Sequence, residues 1–295
     1  MKIDQIFVAG AGFMGSGIAQ VALQAGYSVI LYDLNEELAA KGKEKLADSL
    51  EKRVAKGKLE PSSAKEYISR LKATADLRDA GSAGLVIESV VEKAEVKKKL
   101  FQELDNVCPE EVIFCSNTSS ISITDLSSVT VRPDKVIGLH FFSPAPVMKL
   151  VEVIKGLKTS RQTTDTIVEL ANKFGKEPVL VKDSPGFLVN RINNALRLEA
   201  YRCLEEGIAS IEDIDKAMKL GLGHPMGPFE LADFVGLDIG YSILETLWQN
   251  FREDRWAPPM MLKKLVIAGD LGRKTDRGWY EYASGEKKLR QDIDY

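Results

Sequence analysis

Three glycines near the start of the chain constrain its fold more than any other feature. Gly10, Gly12 and Gly15 form the pattern G-x-G-x-x-G directly after the apolar, β-branched run at 3–9, and a helical pattern follows them. In such a strand-to-helix turn the first glycine permits a tight bend, the second lets a pyrophosphate approach the backbone, and the third lets the helix pack closely. A tight β-α turn without a ligand is the plainer interpretation of the triplet alone. As a dinucleotide site, the loop would contact the cofactor through Gly10, Ala11, Gly12, Phe13, Met14 and Gly15.

An acidic residue ends the second predicted strand. Asp33 follows the run at 29–32, about 20 residues after the glycines, where a carboxylate accepts hydrogen bonds from the ribose hydroxyls of an adenosine. Its negative charge repels a 2′-phosphate, so the residues favour NAD over NADP unless nearby cations offset the repulsion. An FAD-binding protein remains a second option. Together, the strand, the glycine loop, the helix and Asp33 predict a β-α-β unit that binds NAD.

Strand-like and helical patterns alternate through the first part of the chain. The charged helical pattern at 35–70 is broken by Pro61, and the later strand-like runs lie at 85–88, 112–115, 136–139, 150–154 and 179–181. This alternation is typical of a mostly parallel, doubly wound sheet. After Asp183 the strand signals give way to long helical patterns. The chain is therefore predicted to be an α/β protein with a Rossmann-type NAD-binding domain at 1–183 and a smaller, all-helical domain at 184–295.

Composition excludes several classes of protein. The 295 residues carry a net charge of −3 and 28 % of them are charged, which argues against disorder and gives no general attraction to nucleic acid or anionic lipid. The opening stretch is too short for a signal peptide, and no window approaches about 20 continuous apolar residues, so a cytoplasmic, non-membrane protein is expected. The three cysteines, Cys108, Cys115 and Cys203, form no C-x-x-C pair. They are expected to be buried thiols, and neither disulfides nor a metal site is indicated.

The chain has two histidines, so an imidazole catalyst is either His140 or His224. His140 ends a strand-like run, at the carboxyl end where ligand-facing groups collect in a doubly wound sheet. Glu152 is the only acid in the run at 150–154, which returns after a predicted hairpin. If the hairpin folds back evenly, the Glu152 carboxylate reaches the imidazole, fixes its tautomer and stabilises the imidazolium. A packed core histidine beside an edge charge is the alternative, and the glycine-rich turn around His224 favours a structural role at a helix start.

Two further polar features suit a substrate. The run at 116–120 follows an apolar strand and brings Asn117 and Ser119 to the same edge of the sheet, while Asn190, one turn inside the first helix of the second domain, is placed to present its amide across an interdomain cleft. Both suit hydrogen bonds to a substrate oxygen, although the run is otherwise a polar turn. The lysine-bearing helix at 41–58 suits the phosphates of a coenzyme A tail, whereas charge alone favours a solvated face.

Blocks of sequence along nearly the whole chain resemble the 3-hydroxyacyl-CoA dehydrogenase family. Besides Asp33, they are GAGFMGSGIA, SNTSS, HFFSPAPVMKLVEVI, DSPGFLVNRI, GLGHPMGPFELAD and GRKTDRGWYEY, in the family's order and spacing, and they are most similar to the bacterial-type 3-hydroxybutyryl-CoA dehydrogenases. The resemblance implies NAD-dependent oxidation of a short (S)-3-hydroxyacyl-CoA to a 3-ketoacyl-CoA, and the reverse reduction, with His140 as catalytic base and Glu152 as its partner. It also implies that the helical domain contributes to the substrate cleft and forms a homodimer interface.

The same resemblance implies further roles by position. Ser119 and Asn190 would hydrogen-bond the reacting oxygen or hold the substrate, and Ser49 and Lys56 would lie near the contacts to coenzyme A. The cofactor contacts that it implies outside the glycine loop and Asp33 are Glu92, Lys97, Asn117, Ser119, Ser143 and Lys274. Ser143 departs from the family, because many relatives carry asparagine there, and contacts to the nicotinamide are expected to change.

Two other functions remain open. A dehydrogenase of a non-thioester hydroxy acid, such as L-gulonate, would use the same arrangement of His140 and Glu152 but would leave the lysines near Ser49 without a phosphate partner. A nucleotide-binding protein without turnover would have no need of a base and its orienting partner. An assay of acetoacetyl-CoA with NADH, beside acetoacetate and L-gulonate, distinguishes the three functions.

Overall fold

The computed structural model describes residues 3–282 and 286–292, and the chain divides into two units, Met1–Ser184 and Pro185–Tyr295. Each unit has its own core of buried apolar side chains. The first contains a sheet with helices and the second is built of helices, which confirms the predicted fold class. Within the described residues, no helix is both long enough and apolar enough to cross a membrane.

A large sheet runs through the first unit. Its strands are β1 (Gln5–Ala9), β2 (Ser28–Tyr32), β3 (Leu71–Thr74), β4 (Leu85–Glu88), β5 (Ile113–Ser116), β6 (Val136–Phe141), β7 (Leu150–Lys155) and β8 (Glu177–Lys182). Their spatial order is β3-β2-β1-β4-β5-β6-β7-β8, and all neighbours are parallel except β6 and β7. The strand order reverses direction between β1 and β4. In open sheets of this kind, ligands bind beyond the carboxyl ends of the strands at such a reversal.

The helices of the first unit cover both faces of the sheet. They are α1 (Phe13–Gln24), α2 (Glu36–Ala55), α3 (Pro61–Ser69), α4 (Ala94–Val107), α5 (Ile123–Ser127) and α6 (Arg161–Lys173). Successive residues of a strand point to opposite faces, and every residue of β4, β5 and β6 is buried. This double coverage explains why the central strands are mostly apolar rather than alternating, with polar residues only towards their carboxyl ends. Pro61 begins α3, as expected for a residue that has no N–H to leave unpaired in the first turn.

The sequence patterns do not predict β3 or α5. The four residues of β3 are buried only at the first and last positions, because the strand lies at the edge of the sheet. Such a strand needs no continuous apolar run and therefore gives a weak strand signal. The helix α5 has five residues, which is too short for an apolar period to be recognised.

Helices dominate the second unit. They are α7 (Val189–Glu205), α8 (Ile211–Leu222), α9 (Pro228–Val235), α10 (Leu237–Phe251) and α11 (Met260–Ala268), followed by the short antiparallel strands β9 (Tyr280–Glu281) and β10 (Lys288–Leu289). Trp279 lies in the core, with its ring centroid 5.0 Å from Phe229 and 5.1 Å from Tyr201. The Asp233 carboxylate accepts hydrogen bonds from the backbone of Trp279 and Tyr280, both 2.9 Å, and thereby ties α9 to β9.

Three expectations for the second unit are wrong. Asn190 lies in the first turn of α7, not one turn inside a helix, because Phe187 has a φ of 48° and α7 begins only at Val189. Cys203 is half-buried rather than buried, unlike the other two cysteines. His224 does not start a helix. It follows the left-handed residue at the end of α8, and α9 begins four residues further on.

Candidate active site

The glycine loop between β1 and α1 has two kinds of glycine. Gly10 has a φ of +103°, and a Cβ at Gly15 would lie 1.7 Å from the Gly10 carbonyl oxygen, so both are required for the turn itself. A Cβ at Gly12 would meet no described atom within 4 Å. Gly12 is also the N-cap residue that immediately precedes α1, so its open side lies at a helix N-terminus, where an anion is stabilised.

Asp33 reaches the same loop from the end of β2. Its Oδ2 accepts a hydrogen bond from the Ala11 N–H at 2.8 Å, and its Oδ1 accepts one from the Leu34 N–H at 2.8 Å. Each carboxylate oxygen retains further acceptor capacity for hydroxyl donors. The open backbone at Gly12, the helix N-terminus and this carboxylate together fit the pyrophosphate and ribose of a dinucleotide.

His140 and Glu152 form a buried pair on adjacent antiparallel strands. They are directly opposite in the register of β6 and β7, with His140 Nδ1 2.8 Å from Glu152 Oε2. His140 is 7 % exposed and Glu152 is fully buried. Asn117 braces the next residue of the strand, because its Oδ1 accepts a hydrogen bond from the Phe141 N–H at 2.8 Å. Asn117 was predicted as a cofactor contact, and in the described structure its amide oxygen supports β6.

A buried ionic cluster lies at the carboxyl ends of β4 and β5. Lys97 is 1 % exposed, and its Nζ lies 2.6 Å from Glu88 Oε1 and 3.1 Å from Glu92 Oε2. The other Glu88 oxygen accepts a hydrogen bond from Ser116 Oγ at 2.6 Å. The family resemblance implies roles for Glu92 and Lys97, but the sequence analysis misses Glu88. Its one available signal was that it is the only acid in an otherwise apolar strand, as Glu152 is in β7.

Glu92 joins this cluster to the polar run after β5. Its Oε1 accepts hydrogen bonds from Thr118 Oγ1 at 2.5 Å and from the Ser119 N–H at 2.8 Å. Burial raises the pKa of Glu92, but the charge of Lys97 and the bonds from Thr118 and Ser119 outweigh burial and lower the pKa below its usual value. The carboxylate is therefore ionised, and the structure brings Glu92, Lys97 and Ser119 together.

A pocket of about 600 Å³ opens between α1, α2 and the turn that joins β6 to β7. Ser49 and Lys56 line it, as does Gln20, which sequence patterns do not single out. Gln20 Oε1 accepts a hydrogen bond from Ser49 Oγ at 3.0 Å. The basic residues that line the pocket are Lys45, Lys52, Arg53, Lys56 and Lys58. Among the described lining residues there is no acid, so the wall formed by α2 carries a concentrated positive charge.

The remaining predicted residues lie elsewhere. Ser143 is exposed, at the start of the same turn between β6 and β7. Asn190 and Lys274 belong to the second unit, where the Asn190 carbonyl accepts a hydrogen bond from Asn194 Nδ2 at 2.8 Å and Lys274 Nζ lies 2.5 Å from Asp238 Oδ1. Their contacts with a cofactor or substrate stay predictions.

Comparisons with known proteins agree over almost the whole chain. Residues 5–184 match the model of the 3-hydroxyacyl-CoA dehydrogenase NAD binding domain, and residues 186–282 match that of the 3-hydroxyacyl-CoA dehydrogenase C-terminal domain. A Bacillus subtilis protein named probable 3-hydroxybutyryl-CoA dehydrogenase is 48 % identical over 282 residues, covering 96 % of this chain and 98 % of that protein. The mitochondrial hydroxyacyl-coenzyme A dehydrogenase of Rattus norvegicus is 45 % identical over 289 residues, covering 95 % and 91 %. The crystal structure of (S)-3-hydroxybutyryl-CoA dehydrogenase from Ralstonia eutropha is 43 % identical, with a TM-score of 0.93 over 96 % of this chain and 100 % of that one.

Proposed function

The chain belongs to the 3-hydroxyacyl-CoA dehydrogenase family and is an NAD-dependent oxidoreductase, and on that premise we propose that His140 is the acid-base catalyst for a short (S)-3-hydroxyacyl-CoA. The contact of 2.8 Å between His140 Nδ1 and Glu152 Oε2 carries this proposal. The length of the acyl chain rests on the relatives from Bacillus subtilis and Ralstonia eutropha, whose names specify 3-hydroxybutyryl-CoA.

His140 and Glu152 have different roles in proton transfer. Because Nδ1 bonds to Glu152, Nε2 is the nitrogen that accepts the proton of the 3-hydroxyl during oxidation and returns it during reduction. The Glu152 carboxylate holds the ring orientation and stabilises the imidazolium that forms. Bound NAD supplies the hydride acceptor. The imidazolium is the reactant in the reductive direction, so reduction is expected to be favoured at lower pH than oxidation.

The glycine loop, Asp33 and the cluster at Glu92 hold the cofactor in this proposal. Gly12 and the N-terminus of α1 receive the pyrophosphate, and Asp33 receives the adenosine ribose. Lys97 acts through Glu92, because its ammonium is enclosed by Glu88 and Glu92 and is 1 % exposed. Glu92 in turn orients Ser119, which we assign to the reacting end of the substrate. Asn190 stays a proposed substrate contact on the family resemblance alone.

The basic pocket receives the coenzyme A part of the substrate. Phosphates pair favourably with clustered Lys and Arg side chains, and the α2 wall offers several such cations beside the Ser49 hydroxyl. A non-thioester hydroxy acid such as L-gulonate carries no phosphates and would leave these cations unmatched. The pocket therefore favours an acyl-CoA over the second candidate substrate.

A direct assay tests the reaction. NADH oxidation is followed with acetoacetyl-CoA and with acetoacetate, and the reduction of NAD is followed with L-gulonate, each at equal enzyme concentration. Turnover with acetoacetyl-CoA and little with acetoacetate is expected, because acetoacetate lacks the coenzyme A handle. Turnover of L-gulonate alone would support the alternative substrate class, and binding of NADH without any turnover would support a non-catalytic protein.

We propose that the chain forms a homodimer through the second unit, because the resemblance to the family implies one. Exposed apolar side chains on several helices and connections of this unit are available for such an interface. They are Ile192, Ile208, Leu220, Leu222, Phe234, Ile239 and Ile267. Light scattering after size exclusion is expected to give twice the chain mass of 32.6 kDa. A mass of a single chain at micromolar concentration would overturn this assignment.

A further inference from the structure

A buried ammonium holds the turn between β6 and β7. Lys176 is 7 % exposed, and its Nζ donates hydrogen bonds to the carbonyl oxygens of Ala145 at 2.6 Å and Met148 at 2.8 Å. Both partners are neutral backbone carbonyls, and burial lowers the pKa of Lys176 below its usual value. A buried charge is costly unless it is paired and hydrogen-bonded, so the two carbonyl oxygens are the groups that stabilise this ammonium.

The backbone on either side of Lys176 fixes where its side chain starts. Gly175 has a φ of +68°, its N–H bonds to the Asn172 carbonyl, and the Lys176 N–H bonds to the Ala171 carbonyl at 3.0 Å, which together form a Schellman motif at the end of α6. The next residue begins β8 with a hydrogen bond from its N–H to the Lys149 carbonyl at 2.8 Å. The ammonium therefore projects from a rigid corner.

The turn that Lys176 holds is also a wall of the basic pocket. Pro144, Ala145, Pro146 and Val147 line that pocket. The turn also packs against α1, since a Cβ at Gly17 would lie 3.3 Å from both Ala145 Cβ and Pro146 Cδ. The turn is thus held between Lys176 and the helix that follows the glycine loop, and its position sets the width of the pocket.

We propose that Lys176 is a positioning residue for the coenzyme A part of the substrate, because it fixes the 144–148 turn as one wall of the basic pocket. This inference rests on the proposed function of that pocket. Loss of the ammonium leaves two buried carbonyls without their donor, so the turn shifts and the substrate binds less tightly. His140 and Glu152 are held by strand register and not by the turn, so the catalytic rate is preserved.

Steady-state kinetics of Lys176→Met test this role. The variant keeps an unbranched side chain that is one atom shorter and removes the donor and the charge. We expect its KM for acetoacetyl-CoA to rise about tenfold, equivalent to about 1.4 kcal/mol, with kcat within about twofold and the Kd of NADH unchanged. Lys176→Arg, which keeps a charged donor, should recover most of the KM. Lys173→Met is the matched control, since Lys173 lies at the end of the same helix, is 57 % exposed and pairs with Glu169.

Several outcomes would overturn the proposal. A lower Tm with unchanged KM in Lys176→Met would show that Lys176 has only a structural role. A fall in kcat at constant KM would show that the residue affects the chemical step instead of substrate binding. If Lys176→Met is insoluble, Lys176→Gln, which has a shorter side chain with a neutral amide NH2 donor, is measured in the same way. Calorimetric titration with coenzyme A alone tests this proposal independently of the reaction. Weaker binding of coenzyme A by Lys176→Met than by the wild-type chain would support the positioning role of Lys176 even if acetoacetyl-CoA is not turned over.

Discussion

His140 and Glu152 lie directly opposite each other on β6 and β7, and their side chains meet with Nδ1 2.8 Å from Oε2. Their separation is set by the register of two buried strands, in which Leu139 pairs with Val153 and Phe141 with Val151. A slip of one residue would turn either side chain to the opposite face of the sheet. The pair is therefore held by the register of two buried strands.

Replacing His140 by glutamine should abolish most of the turnover. General acid-base catalysis contributes roughly 10²- to 10⁴-fold, so kcat should fall by at least the lower figure while the Kd of NADH, measured by fluorescence, stays within about twofold. Glu152→Gln keeps a hydrogen-bond acceptor but removes the charge, and it should lower kcat in the same direction. An equal loss of catalysis and NADH binding in His140→Gln would contradict the assigned role.

Replacing Asp33 by alanine should weaken NAD binding far more than acyl-CoA binding. The change removes the acceptor for the ribose and also the bond to the Ala11 N–H in the glycine loop. Hydrogen bonds to charged groups contribute about 1.5–3 kcal/mol, so the Kd of NAD should rise roughly tenfold or more. Glu37→Ala, an exposed carboxylate in the first turn of α2, is the control. An unchanged affinity for NAD in Asp33→Ala would refute the ribose contact.

Salt should weaken the binding of acyl-CoA through the basic pocket. Interactions between exposed charges are screened over about 10 Å at 0.1 M ionic strength, so the KM for acetoacetyl-CoA should rise between low and high salt, and the KM for NADH less. Lys52→Ala and Lys56→Ala should raise the KM at low salt and flatten its dependence on salt. Lys41→Ala, an exposed lysine of α2 that does not line the pocket, is the control. A KM that is independent of salt would count against phosphate recognition.

The stability of the second unit should depend on pH through Asp233. Burial raises the pKa of this carboxyl to about 6, against the bonds from Trp279, Tyr280 and Tyr282 that lower it. Between about pH 4 and 6 the folded state thus binds more protons at this group than the unfolded state, so this contribution to the free energy of unfolding falls as pH rises through the window.

Thermal unfolding of the wild-type chain and of Asp233→Asn checks this dependence. The asparagine variant lacks the titrating group, so the difference in Tm between the two proteins should narrow as pH rises from about 4 to 6. The variant should also be less stable at low pH by about 1–3 kcal/mol, because an amide replaces one acceptor oxygen with a donor beside two backbone N–H groups. A Tm difference that is constant with pH would show that Asp233 does not titrate in this range.

The glycine loop, Asp33 and the helical second unit are predictable from sequence because each depends on neighbours along the chain. A turn, a strand end and a helical period are local features: the structure has the glycine loop before α1, Asp33 after β2 and helices through most of the second unit. His140 and Glu152 are twelve positions apart, and their pairing can be predicted from sequence only because a single hairpin joins their two strands. Its catalytic role stays a prediction.

Glu88 and Lys176 could not be recognised in the same way. Glu88 is the acid that ends an apolar strand, and only the structure shows that it neutralises Lys97 and binds Ser116. The partners of Lys176 lie about thirty positions away in a different connection. No local period encodes such contacts, because they arise when separate segments are brought together by the packing of the core.

Sequence alone determined the dinucleotide loop, the class of fold and the family. The loop follows from the glycine spacing, the fold class from the hydrophobic periodicity, and the family from short sequence motifs along the chain. Tertiary structure alone decided which charges are buried, which carbonyls they hold and how α1, α2 and the 144–148 turn enclose a basic pocket. The reason is physical: burial and hydrogen-bond partners depend on distances between segments, and those distances exist only once the chain has folded.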